Sequence, residues 1–173
     1  AIKPYDDVRV RQGLSWACDI QGWLDVLYNG QGTLSGPLGP AFPTWAIPID
    51  KLINTKRDMT KAKQLLDAAG IPDGFKLTYT TIGKIPDFIG QGEQFQADVK
   101  DLGIEVELEA VTPPDYTDRL FAKRDYTVGG GSDYAQEDPD LLRSRFDSEG
   151  SVNWSNYSNA KVDELFEKQS REI

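Results

Sequence analysis

Apolar residues three and four positions apart dominate the early part of the chain. A strict alternation of apolar and polar residues appears twice further on. The first spacing predicts amphipathic helices, the second half-buried strands. Asp7 can cap a first helix covering about Val8 to Ala17, and Asp19 opens a second through Trp23, Leu24, Val26, Leu27 and Tyr28 that stops at Asn29-Gly30. Thr60 is placed to cap a third, built on Ala62, Leu65, Leu66 and Ala69 and closed by Gly70. After the turn Pro72-Asp73-Gly74, Phe75-Lys76-Leu77-Thr78-Tyr79-Thr80 alternates like a strand. A helix of about four turns follows from Pro86 to Leu102, ended by Gly103. Ile104-Glu105-Val106-Glu107-Leu108 then alternates with its charges on one face. Pro113-Pro114 opens a helix carrying Tyr116, Leu120 and Phe121. Asp125-Tyr126-Thr127-Val128 reads as a short third strand running into Gly129-Gly130-Gly131.

Strand, helix, strand, helix, strand is a βαβαβ unit, which places the chain in the α/β class with a parallel sheet and right-handed crossovers. Ligands of such sheets gather beyond the carboxyl ends of the strands, so the end of the third strand is where a site is expected. Between the second and third helices, Gly30, Gly32, Gly36, Pro37, Gly39, Pro40, Pro43 and Pro48 exclude regular structure from a segment at about 30–58, whose length points to function or to packing against other parts of the protein. The sequence starts without Met. It stops at Ile173 in a helical pattern that keeps Val162, Leu165, Phe166 and Gln169 in register without a Gly or Asn cap. We therefore expect residues 1–173 to be a single lobe, truncated at both ends.

Composition narrows the chemistry. Hydrophobic residues make up 39% and charged residues 27% of the chain, the balance of a globular domain. A domain of this size buries about 70% of the surface its unfolded chain exposes, enough for a core without disulfides or metal. The net charge of −9 argues against a nucleic-acid or anionic-membrane surface, both of which require clustered Lys and Arg. Histidine is absent, which removes the commonest metal ligand and the commonest general base at neutral pH. The lone Cys18 sits among apolar residues at helical spacing and reads as a small buried hydrophobe rather than a reactive thiol. No run of 18 apolar residues is present to span a membrane.

The most informative segment is Gly129-Gly130-Gly131-Ser132-Asp133-Tyr134-Ala135-Gln136-Glu137-Asp138-Pro139-Asp140. Glycines at a strand end permit positive φ and close approach of a ligand to the backbone. Asp133 and Tyr134 add a carboxylate and an aromatic hydroxyl, and on local sequence Asp133 is either a solvated loop carboxylate or a ligand-binding one. Asp138-Pro139-Asp140 reads as a helix start, with Asp138 at the N-cap and Asp140 complementing the helix dipole. A phosphate cradle fits less well, since no Lys follows at the required spacing. An EF-hand calcium loop lacks its alternating ligands and closing Glu. A paired-carboxylate glycosidase rests on nothing beyond the abundance of acidic residues. Asn153-Trp154-Ser155 and Asn156-Tyr157-Ser158 match the N-glycosylation pattern, but a turn or capping role suits them better.

Four separated motifs carry a resemblance to a known family. They are Pro4-Tyr5-Asp6-Asp7-Val8-Arg9-Val10-Arg11-Gln12-Gly13-Leu14-Ser15 with Ala17 and Asp19; Lys61-Ala62-Lys63-Gln64-Leu65-Leu66 with Ala69-Gly70-Ile71-Pro72-Asp73-Gly74-Phe75; Leu102-Gly103-Ile104-Glu105-Val106-Glu107-Leu108; and Asp133 to Asp140 followed by Asn153-Trp154-Ser155-Asn156-Tyr157 and Val162-Asp163. Together they resemble the C-terminal lobe of the family 5 extracellular solute-binding proteins, the oligopeptide, dipeptide and nickel type that feed ABC importers.

The resemblance implies a periplasmic-binding-protein-like lobe, one of two that close around a ligand, with the other lobe elsewhere in the same protein. It implies a binding protein and no enzyme. The protein would capture a peptide or similar small solute and deliver it to a membrane permease, with no cofactor, no metal and no nucleic acid. It also implies a periplasmic or extracellular location, with membrane contact only through the permease or a lipid anchor. Asp133 takes the place of the aspartate that pairs with the α-amino group of a bound peptide, a desolvated ammonium needing a buried opposite charge. Tyr134 and the backbone of Gly129, Gly130 and Gly131 would also touch the ligand. Where the family often places a pocket-lining tryptophan this chain has Gly130, implying a larger or differently shaped cavity there, and Gly13 stands where Ala is usual. Trp45 is a candidate for the wall as well as for packing. A non-peptide solute (an oligosaccharide, opine or metal chelate) is the alternative in the same transport role, and a carboxylate-dependent hydrolase the alternative outside it.

Overall fold

The computed structural model describes residues 2–52, 55–131 and 138–171. They fall into two compact units, residues 2–34 with 55–131 and residues 35–52 with 138–171.

The first unit holds the sheet. Helices α1 (Val8–Ala17) and α2 (Ile20–Tyr28) are capped as their sequences dictate. The Asp7 carboxylate accepts from the Arg9 N–H and that of Asp19 from the Gly22 N–H, while Asn29 closes α2 in the left-handed conformation. Helix α3 (Met59–Ala68) starts before the expected Thr60. Asp58 is its cap, with extended backbone and a side-chain oxygen 2.9 Å from the Lys61 N–H, so Met59 and Thr60 already belong to the first turn. Gly13 of α1 faces Leu66 of α3 so closely that a Cβ there would lie 2.8 Å from Leu66 Cγ. The helix contact needs glycine at that point, which outweighs its low helix propensity.

Strands β1 (Phe75–Ile82) and β2 (Ile104–Val111) flank α4 (Pro86–Lys100) and pair in parallel from Phe75↔Ile104 to Ile82↔Val111. Strand β3 (Val128–Gly129) pairs with the other edge of β1 through Tyr79↔Val128 and Thr80↔Gly129, giving the order β2-β1-β3. The parallel βαβαβ arrangement is thus the one the alternation predicts. Phe75, Leu77, Tyr79, Ile104, Val106 and Leu108 share the face that meets the helices. Their core includes Val10, Leu14, Ala62, Leu66, Phe95 and Val99. The opposite face carries Lys76, Thr78, Thr80, Glu105, Glu107 and Glu109, with Lys76 and Glu105 paired across the strands at 2.9 Å.

The third strand is shorter than expected. Residues 125–127 lie outside it because the Thr127 side chain replaces backbone pairing: its Oγ1 accepts from the Thr78 N–H at 3.2 Å and donates to the Thr78 carbonyl at 2.5 Å. The segment before it is helix α5 (Pro113–Thr117), capped by Thr112, which widens into a π-helical turn over Asp118–Lys123 and ends at left-handed Arg124.

In the second unit residues 35–52 carry a bridge residue at Leu38, tight turns over Gly39–Phe42 and Phe42–Ala46 and a 3₁₀ turn at Ile49–Lys51, but no helix or strand of any length, in keeping with their Gly and Pro content. Asp138 caps a 3₁₀ turn, Pro139–Leu142, by accepting from the Asp140 N–H at 2.8 Å, and short α6 (Arg143–Phe146) follows. Helix α7 (Ala160–Gln169) is capped by Asn159 and tied to α6 by the Arg143–Glu167 ion pair. Asn153 is buried. Its Nδ2 donates to the carbonyls of Asp147 and Tyr157 and its Oδ1 accepts from the Tyr157 N–H, so it organises a turn rather than offering a glycan site.

Candidate functional site

Beyond the carboxyl end of β3 the chain leaves the sheet through Gly129, Gly130 and Gly131. The Gly130 N–H still donates to the Thr80 carbonyl at 3.0 Å, and the Gly130 carbonyl accepts from the Tyr116 hydroxyl at 2.8 Å. Helix α5 and the central strand therefore hold Gly130 from two sides.

None of the three glycines has positive φ, contrary to the sequence expectation. Each is crowded by a side chain from another element, Gly130 most severely. A Cβ on Gly129 would lie 3.1 Å from Leu120 Cδ2, one on Gly131 2.9 Å from the Tyr116 hydroxyl, and one on Gly130 would overlap the phenol of Tyr79. The alternation along β3 explains the division: Gly129 and Gly131 face α5 and the π turn, Gly130 the helix-backed face that Tyr79 shares. Glycine at 130 thus opens no larger cavity at its own Cβ position, because Tyr79 fills it.

Tyr79 and Tyr116 were not singled out by their sequence. Tyr79 alternates as a core residue should, and only its register against Val128 brings the phenol to the site. Burial raises the pKa of Tyr79, with a smaller contribution from neighbouring Tyr116, and burial also raises that of Tyr116. Both phenols stay protonated at neutral pH. The Tyr116 proton is used on Gly130, whereas the Tyr79 hydroxyl has no hydrogen-bond partner among the described residues. Thr81, two residues on along the same face of β1, is fully buried and its Oγ1 also lacks a partner among the described residues.

Asp133 and Tyr134 lie outside the described residues. Trp45 belongs to the second unit and exposes half its surface. Of the expected site residues, the structure brings together the three glycines. On the polar face of the sheet, Thr78, Thr80, Glu107 and Glu109 line a cleft of about 260 Å³ closed by Arg119 and Tyr126, in which Arg119 and Glu109 pair at 2.6 Å. Among the described residues no cluster of three or more His, Cys, Asp or Glu is placed to hold a metal ion, and no helix is long and apolar enough to cross a membrane.

A parallel sheet backed by helices on one face, with a crowded glycine exit at its carboxyl edge, makes this an α/β lobe with the edge where ligands of such sheets bind. A family model for the middle region of the bacterial extracellular solute-binding proteins, family 5, matches residues 1–153. The chain belongs to that family, one of binding proteins rather than enzymes. It is 30% identical to Heme-binding protein A of Haemophilus influenzae over 94% of this chain and 30% of that protein. It is also 30% identical to the Dipeptide-binding protein of Escherichia coli, over 90% of this chain and 30% of that one. Two solved structures share the fold at 25% identity. The ABC transporter substrate binding protein CtaP of Listeria monocytogenes superposes with a TM-score of 0.76, covering 94% of this chain and 34% of its own. The periplasmic binding protein DppA of Helicobacter pylori, in complex with the peptide STSA, superposes with 0.77, covering 96% and 33%. The chain spans about a third of the length of the relatives it matches.

Proposed function

We propose that this chain is one lobe of the substrate-binding component of an ABC importer. The protein captures a peptide outside the cytoplasm, in the periplasm or at the membrane through a lipid anchor, and presents it to a permease. The observation that carries this reading is the match along nine tenths of the chain to a dipeptide-binding protein, with the same fold in a peptide-bound relative. The site is interlobe: the carboxyl edge of the sheet supplies one wall and the other lobe of the protein supplies the second.

In this reading Asp133, two residues past Gly131, pairs with the α-amino group of the peptide. Tyr134 and the glycine backbone form the wall. A buried ammonium requires such a partner, since charge-assisted hydrogen bonds are about twice as strong as neutral ones. The test is Asp133→Asn in the full-length protein, titrated with peptides by calorimetry. A loss of affinity of about tenfold or more is expected. Affinity retained within about threefold removes Asp133 from the site.

A second reading is supported by the equal identity to Heme-binding protein A: a non-peptide ligand, such as a metal chelate, in the same transport role. Mass spectrometry of the compound that co-purifies with the full-length protein decides between the two.

A further inference from the structure

The carboxyl end of β1 carries two hydroxyls that no hydrogen bond reaches among the described residues, a fully buried one on Thr81 and one at the tip of the Tyr79 ring. Tyr79 is 4% exposed, and no hydrogen bond reaches its hydroxyl among the described residues, although the neighbouring phenol of Tyr116 is bonded. Thr81 is fully buried and its Oγ1 is unpaired among the described residues. Native interiors rarely leave a buried group such as the Thr81 hydroxyl unsatisfied, since an unpaired buried donor costs about as much as the hydrogen bond it forgoes. The two residues are successive members of one face of the central strand, so both unpaired groups fall at the same end of the sheet. That is the end beyond which ligands of parallel sheets bind.

The Tyr79 hydroxyl also has a defined position. It occupies the place where a side chain on Gly130 would begin, and Gly130 is itself pinned through its N–H to Thr80 and its carbonyl to Tyr116. A residue at 130 with a side chain would exclude the phenol from this edge. Glycine admits it, so the sheet presents an aromatic hydroxyl from β1 where β3 contributes only backbone. The ring is clamped by Phe95 at a centroid distance of 5.4 Å. Gly92 of α4 lies against the same ring and against Leu108: a Cβ there would be 3.0 Å from Tyr79 Cδ1 and would overlap Leu108 Cδ1. A ring held on three sides, with its polar end at the carboxyl edge, is a preorganised donor.

We infer that Tyr79 is a ligand-binding residue of this lobe, its hydroxyl donating a hydrogen bond to a carbonyl or carboxylate oxygen of the bound solute over the Gly130 backbone. This rests on the solute-binding reading of the site but not on the ligand being a peptide. Raised above its ordinary value by burial, the phenol remains a donor throughout the physiological range. The ring would keep its packing with the ligand absent, so its loss of hydroxyl should be felt in affinity and not in folding.

The experiment compares the full-length wild-type protein with Tyr79→Phe. Thermal-shift screening of the wild type uses a library of di- to pentapeptides together with haem, an opine and cellobiose. The compound that binds is then titrated into both proteins by calorimetry. The expected result is an affinity about tenfold lower in the Phe variant, with an unliganded melting temperature equal to or above that of wild type. If the wild type binds only a non-peptide compound and the Phe variant still loses tenfold, the peptide reading fails and the Tyr79 inference stands. If the Phe variant binds within about twofold of wild type, Tyr79 is a packing residue and the inference is wrong. A lower unliganded melting temperature in the Phe variant also overturns it, because the hydroxyl then has a structural partner. Failure of the wild type to bind any compound in the screen overturns both.

Discussion

The indole Nε1 of Trp23 donates to Oδ2 of Asp98 at 2.7 Å, joining α2 to α4 beneath the sheet. The same oxygen accepts from the Asp19 N–H at 2.8 Å, and Arg57, just ahead of α3, pairs with the other carboxylate oxygen at 3.6 Å and donates to the Asp98 carbonyl at 3.0 Å. One nearly buried carboxylate therefore ties together the α1–α2 junction, α4 and the entry to α3. Removing it leaves an indole, a backbone N–H and a guanidinium short of a partner. Asp98→Ala is expected to destabilise the protein by about 3 kcal/mol, as urea unfolding followed by tryptophan fluorescence would show.

The crowding at Gly130 makes a second prediction. Gly130→Ala pushes a methyl group into the Tyr79 ring, which Phe95 and Gly92 prevent from moving, and should cost about 1–3 kcal/mol. Gly39→Ala is the control, because a Cβ there meets nothing within 4 Å and the change should stay within about 0.5 kcal/mol. Equal melting temperatures for the two variants would mean that Tyr79 yields.

Helix α3 distinguishes two aspartate-and-threonine readings of one sequence. Asp58→Ala deletes the bond to the Lys61 N–H and should cost about 1 kcal/mol, whereas Thr60→Ala, inside the first turn, should be near neutral or slightly stabilising. Chemical denaturation of the two variants side by side measures the difference.

Cys18 is buried, and its thiol pKa is pushed up to about 12, first by burial and then by the nearby Asp98 carboxylate, with Arg57 acting weakly the other way. The native protein should therefore react with iodoacetamide at pH 8.5 at least about a hundredfold more slowly than the urea-unfolded chain. The folded value lies above the ordinary thiol value of 9.0, so the folded state keeps its proton where the unfolded state loses it. Stability is unaffected by this group below about pH 9 and falls as pH rises from about 9 towards 12. The melting-temperature difference between wild type and Cys18→Ala, followed from pH 8 to pH 10, reads this directly.

Helices α1 and α2, their caps, both long strands and their parallel direction were legible from spacing and element order, because each depends on local periodicity, on cap chemistry within a few residues and on the alternation of strands with helices. Family membership was legible for a different reason: the separated motifs combine. The cap of α3 was missed because Asp58 and Thr60 are both competent caps, and only the backbone conformation separates them. The third strand was overextended because nothing in Asp125-Tyr126-Thr127 reveals that the Thr127 hydroxyl will take over pairing with Thr78.

What the sequence determined by itself was the α/β lobe and the place to look, the glycine run after the last strand. Why those residues are glycine was decided by tertiary structure. Positive φ was the local expectation, but the cause is non-local: Leu120, Tyr79 and Tyr116 arrive from other elements and occupy the space that each Cβ would need. Tyr79 lies about fifty residues from Gly130 in sequence, and only the parallel register of β1 against β3 brings the two together. Contacts set by strand pairing leave no mark in local spacing, and the donor at the edge of this site is one of them.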